Sequence, residues 1–277
     1  MVTQHGVVHN RLGRVRRHRP TGGTLSGVRI VLVSDLHYDL RKLDWVLARA
    51  AEVDVVVIAG DLLDVAGAVP LDAQITVVLG YLERLAALGV TLVCSGNHDL
   101  DHRTDAGEKA TAWITEAAEF GVVTDGASLD IDGCRFTSCA WWEGPETLAT
   151  LERQLADAGV DRPDRWVWIF HGPPEGPLSW TGSRHFGDPE LPRLLETHQP
   201  DLVLCGHIHE APYTDEGSWA EWRDGTWLFN SGYQRGEIPA FVEIDLDEDK
   251  AYWWSLVGTG EVDLSDPSTA PPAVAVQ

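Results

Sequence analysis

Basic residues are the scarce class in this chain: its 277 residues carry 21 Lys and Arg against 43 Asp and Glu, a formal net charge of −22. A field of that sign repels polyanions and argues against a broad electrostatic grip on duplex nucleic acid. Cysteine is sparse too. Four residues (Cys94, Cys134, Cys139 and Cys205) do not make a disulfide scaffold, and no second Cys/His pair stands at zinc-finger spacing from Cys134 and Cys139. Cys94 and Cys205 lie inside the apolar runs VTLVCSG and LVLCGH, as buried reduced thiols would. The expected compartment is therefore reducing, hence cytoplasmic. No apolar run approaches the ~18 residues of a membrane span. The stretch VRIVLVSD is also too short for the core of a secretory signal. Nothing repeats at a period of about 20–50 residues, which excludes a solenoid.

What the chain does have is the balance of a globular protein, 44% hydrophobic and 23% charged residues. Its charge is uneven: residues 1–26 hold five arginines and no acid, and they read as a flexible basic arm. From 27 to 260 short β-branched runs alternate with helical patterns. VRIVLVSD (28–35), VDVVVIAGD (53–61), VTLVCSG (90–96), WVWIFH (166–171) and DLVLCGH (201–207) read as strands. Helices are expected at 41–51, 71–89, about 108–119, near 147–158 and near 188–198. The end is β-rich, and 261–277 reads as a disordered Pro/Ala tail. Alternation of this kind predicts one compact α/β domain with two sheets flanked by helices.

Chemistry gathers where strands end. Those five strands run into Asp35-Leu36-His37, Gly60-Asp61-Leu62-Leu63-Asp64, Gly96-Asn97-His98-Asp99, His171-Gly172-Pro173-Pro174 and Gly206-His207-Ile208-His209. Ligands of open α/β sheets bind at the carboxyl ends of strands. Mixed carboxylate and imidazole donors suit Mn, Fe, Co or Zn, whereas an all-oxygen set suits Mg or Ca. Seven candidate ligands (Asp35, His37, Asp61, Asn97, His171, His207 and His209) are too many for one ion. Two divalent ions, about 3.5–4 Å apart and sharing one carboxylate, would use them all.

The ordered series Asp-x-His, Gly-Asp-x-x-Asp, Gly-Asn-His-Asp, a lone His and Gly-His-x-His resembles that of the calcineurin-like metallophosphoesterases, across residues 35–209. That resemblance implies a four-layer α/β/β/α sandwich. It implies that Asp35, His37, Asp61 and His209 hold one ion, and that Asp61, Asn97, His171 and His207 hold the other. It makes His98 the proton donor to the leaving oxygen, oriented by Asp64. Val65-Ala66 stand where protein serine/threonine phosphatases carry Arg-Gly, and Asp99 stands where they usually carry Glu. The His-Gly-Pro-Pro and Gly-His-Ile-His-Glu stretches look more like the small single-domain phosphodiesterase branch. The implied activity is hydrolysis of small cyclic or linear nucleotide-type diesters by Mn, Fe or Zn ions. A nuclease, a phosphomonoesterase and a non-catalytic metal-binding scaffold are the alternatives. Trp141, Trp142 and Trp180 offer a wall on which a base could stack. Oligomeric state stays open.

Overall fold

The computed structural model describes residues 27–271. The first half runs β1 (Arg29–Val33), α1 (Leu40–Arg49), β2 (Val55–Ala59), α2 (Leu71–Leu88) and β3 (Val90–Cys94), then a short hairpin of β4 (His102–Arg103) and β5 (Lys109–Ala110). The second half runs β6 (Ser128–Ile131), β7 (Cys134–Ser138), α3 (Pro145–Ala158), β8 (Arg165–Ile169), α4 (Leu191–His198) and β9 (Leu202–Cys205). It closes with β10 (Ala220–Arg223), β11 (Thr226–Asn230), β12 (Phe241–Asp245), β13 (Lys250–Trp254) and β14 (Thr259–Asp263). Two six-stranded sheets result, in the orders β14-β13-β12-β1-β2-β3 and β10-β11-β9-β8-β7-β6. In the first, β1, β2 and β3 are parallel; in the second, β7, β8, β9 and β11 are.

Burial on both faces explains why the central strands read as continuous apolar runs. Ile30, Leu32, Val55 and Val57 point inward and meet Phe136, Val167, Ile169 and Phe229 of the second sheet. Their neighbours Val31, Val33, Val56 and Ile58 point outward, beneath Leu43 and Val46 of α1 and Val78 and Leu82 of α2. On the far side, α3 and α4 cover Trp166, Trp168 and Val203. The layers are α/β/β/α, as expected from the resemblance.

Two local expectations are corrected. The helix expected at 108–119 is instead β5 followed by a 3-10 helix, Trp113–Phe120. Three tertiary bonds outweigh its helical pattern: Glu108 turns away to accept Glu146 N and Thr147 N at the start of α3, and the Trp113 indole donates to Asp99 O at 2.8 Å. The disordered tail expected from 261 is the second correction. Residues 259–263 form β14 against β13, with Val262 1% exposed opposite Ala251, and Asp266 caps a short 3-10 turn at Pro267–Thr269. Val262 is the one large apolar residue of this stretch, so no alternation marks it, and the open edge of β13 decides its conformation. The arm at 1–26 and residues 272–277 lie outside the described residues. The four cysteines are free and buried, and among the described residues no helix is long and apolar enough to cross a membrane.

Candidate metal centre

Every expected ligand sits in a loop leaving the C-terminal end of a parallel strand: Asp35 and His37 after β1, Asp61 after β2, Asn97 after β3, His171 after β8, His207 and His209 after β9. Those loops need unusual backbone. Asp35, His37, Asp61 and His207 all adopt the left-handed region, with φ of 54°, 43°, 55° and 71°. Such conformations cost of order 1 kcal/mol each and persist where surrounding structure imposes them. Glycines clear the space. A Cβ at Gly60 would lie 2.5 Å from His171 Nδ1, one at Gly96 would collide with Asp61 Oδ1, and one at Gly206 would lie 2.6 Å from Asp35 Oδ2.

Three groups of donors converge. The ligand atoms of Asp35, His37 and His209 lie within 4.8 Å of one another, as do those of Asp61, His171 and His207, and those of His37, Asp61 and His98. Asp61 and His37 each belong to two groups, so the Asp61 carboxylate links His37 to His171 and His207. His37 Nε2 and His209 Nε2 stand 3.1 Å apart, and His209 Nε2 stands 3.2 Å from Asp35 Oδ1. His171 Nδ1 donates to Ala59 O at 2.7 Å, which leaves Nε2 facing Asp61 Oδ2 at 3.3 Å. That carbonyl fixes the ring and its tautomer, the arrangement common behind metal-binding histidines.

One buried atom of the cluster, Asn97 Oδ1, has no hydrogen-bond partner among the described residues. Buried polar atoms are nearly always satisfied, so this oxygen is suited to face a cation. The donor set fits divalent ions of the Mn, Fe and Zn kind.

Electrostatics agree. Burial alone would lower the pKa of His171, but the Asp61 carboxylate outweighs it and raises the value to about 9. Burial and the nearby His171 push His207 down to about 4. Burial would raise Asp35, yet its bonds from His209 and Ser34 and the charge of His171 hold it well below the carboxylate range. The cluster behaves as an anionic nest that takes up a proton when no metal is there.

His98 lies on the rim of the cluster, with Nε2 4.0 Å from Asp61 Oδ2 and its ring edge-on to His37 at 4.7 Å. The expected support from Asp64 is absent. Asp64 Oδ1 accepts Ala66 N at 2.9 Å instead, closing its own turn, and His98 Nδ1 is buried without a partner among the described residues. A local side-chain-to-backbone bond has won over the longer-range one.

Sequence reasoning missed the part Asp99 plays. Its fully buried carboxylate accepts Asp61 N (2.8 Å), Leu62 N (3.0 Å), Leu63 N (3.1 Å) and Gly96 N (2.8 Å), tying the β2 loop to the β3 loop. Burial and the Asp61 charge raise its pKa while the backbone donors oppose them. Nothing in the pattern Gly-Asn-His-Asp marks those bonds, because their donors lie up to 38 residues away. Asp99→Asn is expected to destabilise the metal-free protein by about 2–5 kcal/mol, since either amide orientation sets an NH₂ group against two buried N–H donors. An unchanged midpoint in urea unfolding would overturn this reading.

Of the three tryptophans expected beside the site, only Trp141 reaches it, with its ring 5.2 Å from His207 and 5.6 Å from His171. Trp142 donates to Asp188 and packs against the helix layer, and the Trp180 ring meets His185. Phe186, 53% exposed, lies 6.0 Å from His207. Tyr233 stacks on His209 at 4.8 Å. An aromatic at 186 or 233 carries no sequence signal of its own.

Comparison with known proteins agrees with this geometry. The chain is 28% identical over 221 residues to a UPF0046 protein of Caenorhabditis elegans, covering 75% of this chain and 71% of that one. Its fold resembles that of TT1561 of Thermus thermophilus (TM-score 0.55, 17% identity, 86% of this chain and all of that one). It also resembles the purple acid phosphatase PPD1 from yellow lupin seeds (TM-score 0.51, 17% identity, 87% of this chain and 52% of that one). The family description "Calcineurin-like phosphoesterase" matches residues 28–211, from the first strand through the last pair of histidines. With about two thirds of its length matched and the histidine-aspartate groups in place, the chain belongs to the calcineurin-like phosphoesterase family.

Proposed function

We propose that this protein is a dinuclear metal-dependent phosphodiesterase acting on small cyclic or linear nucleotide-type diesters. The observation that carries the reading is the double membership of Asp61, whose carboxylate joins both the His37 side and the His171–His207 side of the cluster. Asp35, His37, Asp61 and His209 would hold one ion; Asp61, Asn97, His171 and His207 would hold the other. When bound, the pair would supply Lewis acidity towards phosphate oxygens and a strong nucleophile at neutral pH.

The remaining work falls to the chain itself. His98, with its side chain 27% exposed, is placed to give a proton to the departing oxygen. His98 N donates to Asp61 Oδ1 at 2.9 Å, which sets the ring's position relative to the shared carboxylate. Trp141 and Phe186 flank His207 and offer apolar faces to a planar base. Arg184 lies over the Phe186 ring at 5.2 Å and adds a cation at that edge. Diesters are favoured over protein substrates because Val65-Ala66 supply no phosphate-clamping arginine after Asp61.

The test is a panel of nucleotide diesters, nucleotide monoesters and simple alkyl diesters, assayed with the Mn²⁺-reconstituted protein. Diesters carrying a base are expected to turn over fastest. Phe186→Ala should raise KM for them by about tenfold, the scale of one stacked base, and leave alkyl diesters unchanged. A preference for monoesters would overturn the diesterase reading.

A further inference from the structure

Lys42, in the first turn of α1, is only 1% exposed, and among the described residues no hydrogen bond or ion pair engages its ammonium group. Unpaired buried charge is costly, so such a residue calls for a partner. The partner is a ring. Lys42 Nζ lies 3.7 Å from the centroid of Tyr233, within cation–π range. Burial lowers the pKa of Lys42 to about 8, and the charges of Asp39 and Asp35 limit that fall, so the ammonium keeps its proton at neutral pH.

Tyr233 is the ring that meets the site from this side. It stacks on His209 with an interplanar angle of 26°, stands edge-on to His37 at 5.9 Å, and its backbone N–H donates to His209 O at 3.2 Å. His209 differs here from His171. The ring of His171 is fixed by a carbonyl on Nδ1, whereas no protein acceptor holds Nδ1 of His209 among the described residues. Stacking takes the place of that bond.

We propose that Lys42 is a positioning residue: its buried ammonium fixes the Tyr233 ring, and that ring holds the His209 imidazole facing Asp35 and His37. The consequence at the metal rests on the two-ion reading; the orientation of His209 does not. Charge buried under a ring keeps the ring from sliding along an otherwise apolar contact, because displacement would strand the ammonium without a partner.

Two measurements on the full chain test the proposal. Histidine ring signals are followed by long-range ¹H–¹⁵N correlation in the metal-free protein, and Co²⁺ uptake is followed by visible absorption. Lys42→Met, which keeps the length and removes the charge, is expected to shift the His209 signals as Tyr233→Leu does, and to leave His171 in place. Each change should weaken one of two Co²⁺ steps by about 5- to 30-fold, the scale of a desolvated cation–π contact. The double variant should lose no more than either single one. Tyr233→Phe, which keeps the ring, should match the wild type. Should Lys42→Met fail to fold, Lys42→Gln carries the same comparison. Unmoved His209 signals in the Lys42 variant, or losses that add in the double variant, would overturn the proposal. Wild-type protein that takes up fewer than two Co²⁺ would defeat the two-ion reading, while the histidine spectra would still decide the role of Lys42.

Discussion

Asp61→Ala should strip the reconstituted protein of both metal equivalents in one step. Wild type is expected to hold about two divalent ions per chain, since seven donors exceed one coordination sphere. The carboxylate of Asp61 faces His171 Nε2 at 3.3 Å and His37 Nε2 at 3.9 Å, so its loss opens both halves of the cluster. Turnover should fall by at least ~10³-fold, because metal polarisation of phosphate is worth several kcal/mol. The metal-free variant offers an independent check. Asp61 is the carboxylate that raises His171 to about 9, so removing it should bring that pKa down, and NMR titration can follow the shift. The sign follows from the charges: without the Asp61 anion, only Asp35 and the Ala59 carbonyl still oppose burial, which favours the neutral ring. Elemental analysis that still finds one tightly held ion in Asp61→Ala would defeat the bridging role.

His98→Ala should separate substrates by their leaving groups. A nucleoside or sugar oxygen departs as a poor anion and gains ~10²–10⁴-fold from a donated proton. A p-nitrophenolate departs readily without one. The variant is therefore expected to lose most of its turnover on nucleotide diesters and far less on p-nitrophenyl diesters, with metal content intact. Asp64→Asn should leave that asymmetry unaltered, because Asp64 Oδ1 accepts Ala66 N and His98 Nδ1 stands without a partner among the described residues. If His98→Ala instead loses a metal equivalent, the ring is a ligand, as its grouping with His37 and Asp61 allows. Equal slowing of both substrates with both ions bound would make His98 a phosphate-holding residue rather than an acid.

Much of this protein is legible in its sequence. The five β-branched runs announce strands because both faces of a central parallel strand are buried, which leaves no polar position to confuse the pattern. The ligands were legible for a related reason: each directly follows such a run, where backbone geometry presents side chains at a common edge. Local signals also marked α2, whose helical pattern stops at Gly89. The miss at 108–119 has the opposite cause. Helical periodicity was present there, but Glu108 and Trp113 are committed to partners outside the segment.

Sequence alone therefore determined the alternating α/β order, the strand ends and the chemical kind of each donor, since all of these follow from neighbours within a few residues. The rest depended on distance in the chain. That Asp99 binds four backbone N–H groups, that Asp64 turns inward on its own loop, and that Lys42 meets Tyr233 191 positions on are outcomes of packing. So are the β14 edge and the aromatic flank of Trp141 and Phe186. Burial assigns such partners by which polar and charged groups are left to satisfy one another once two sheets close, and no local pattern of residues records that choice.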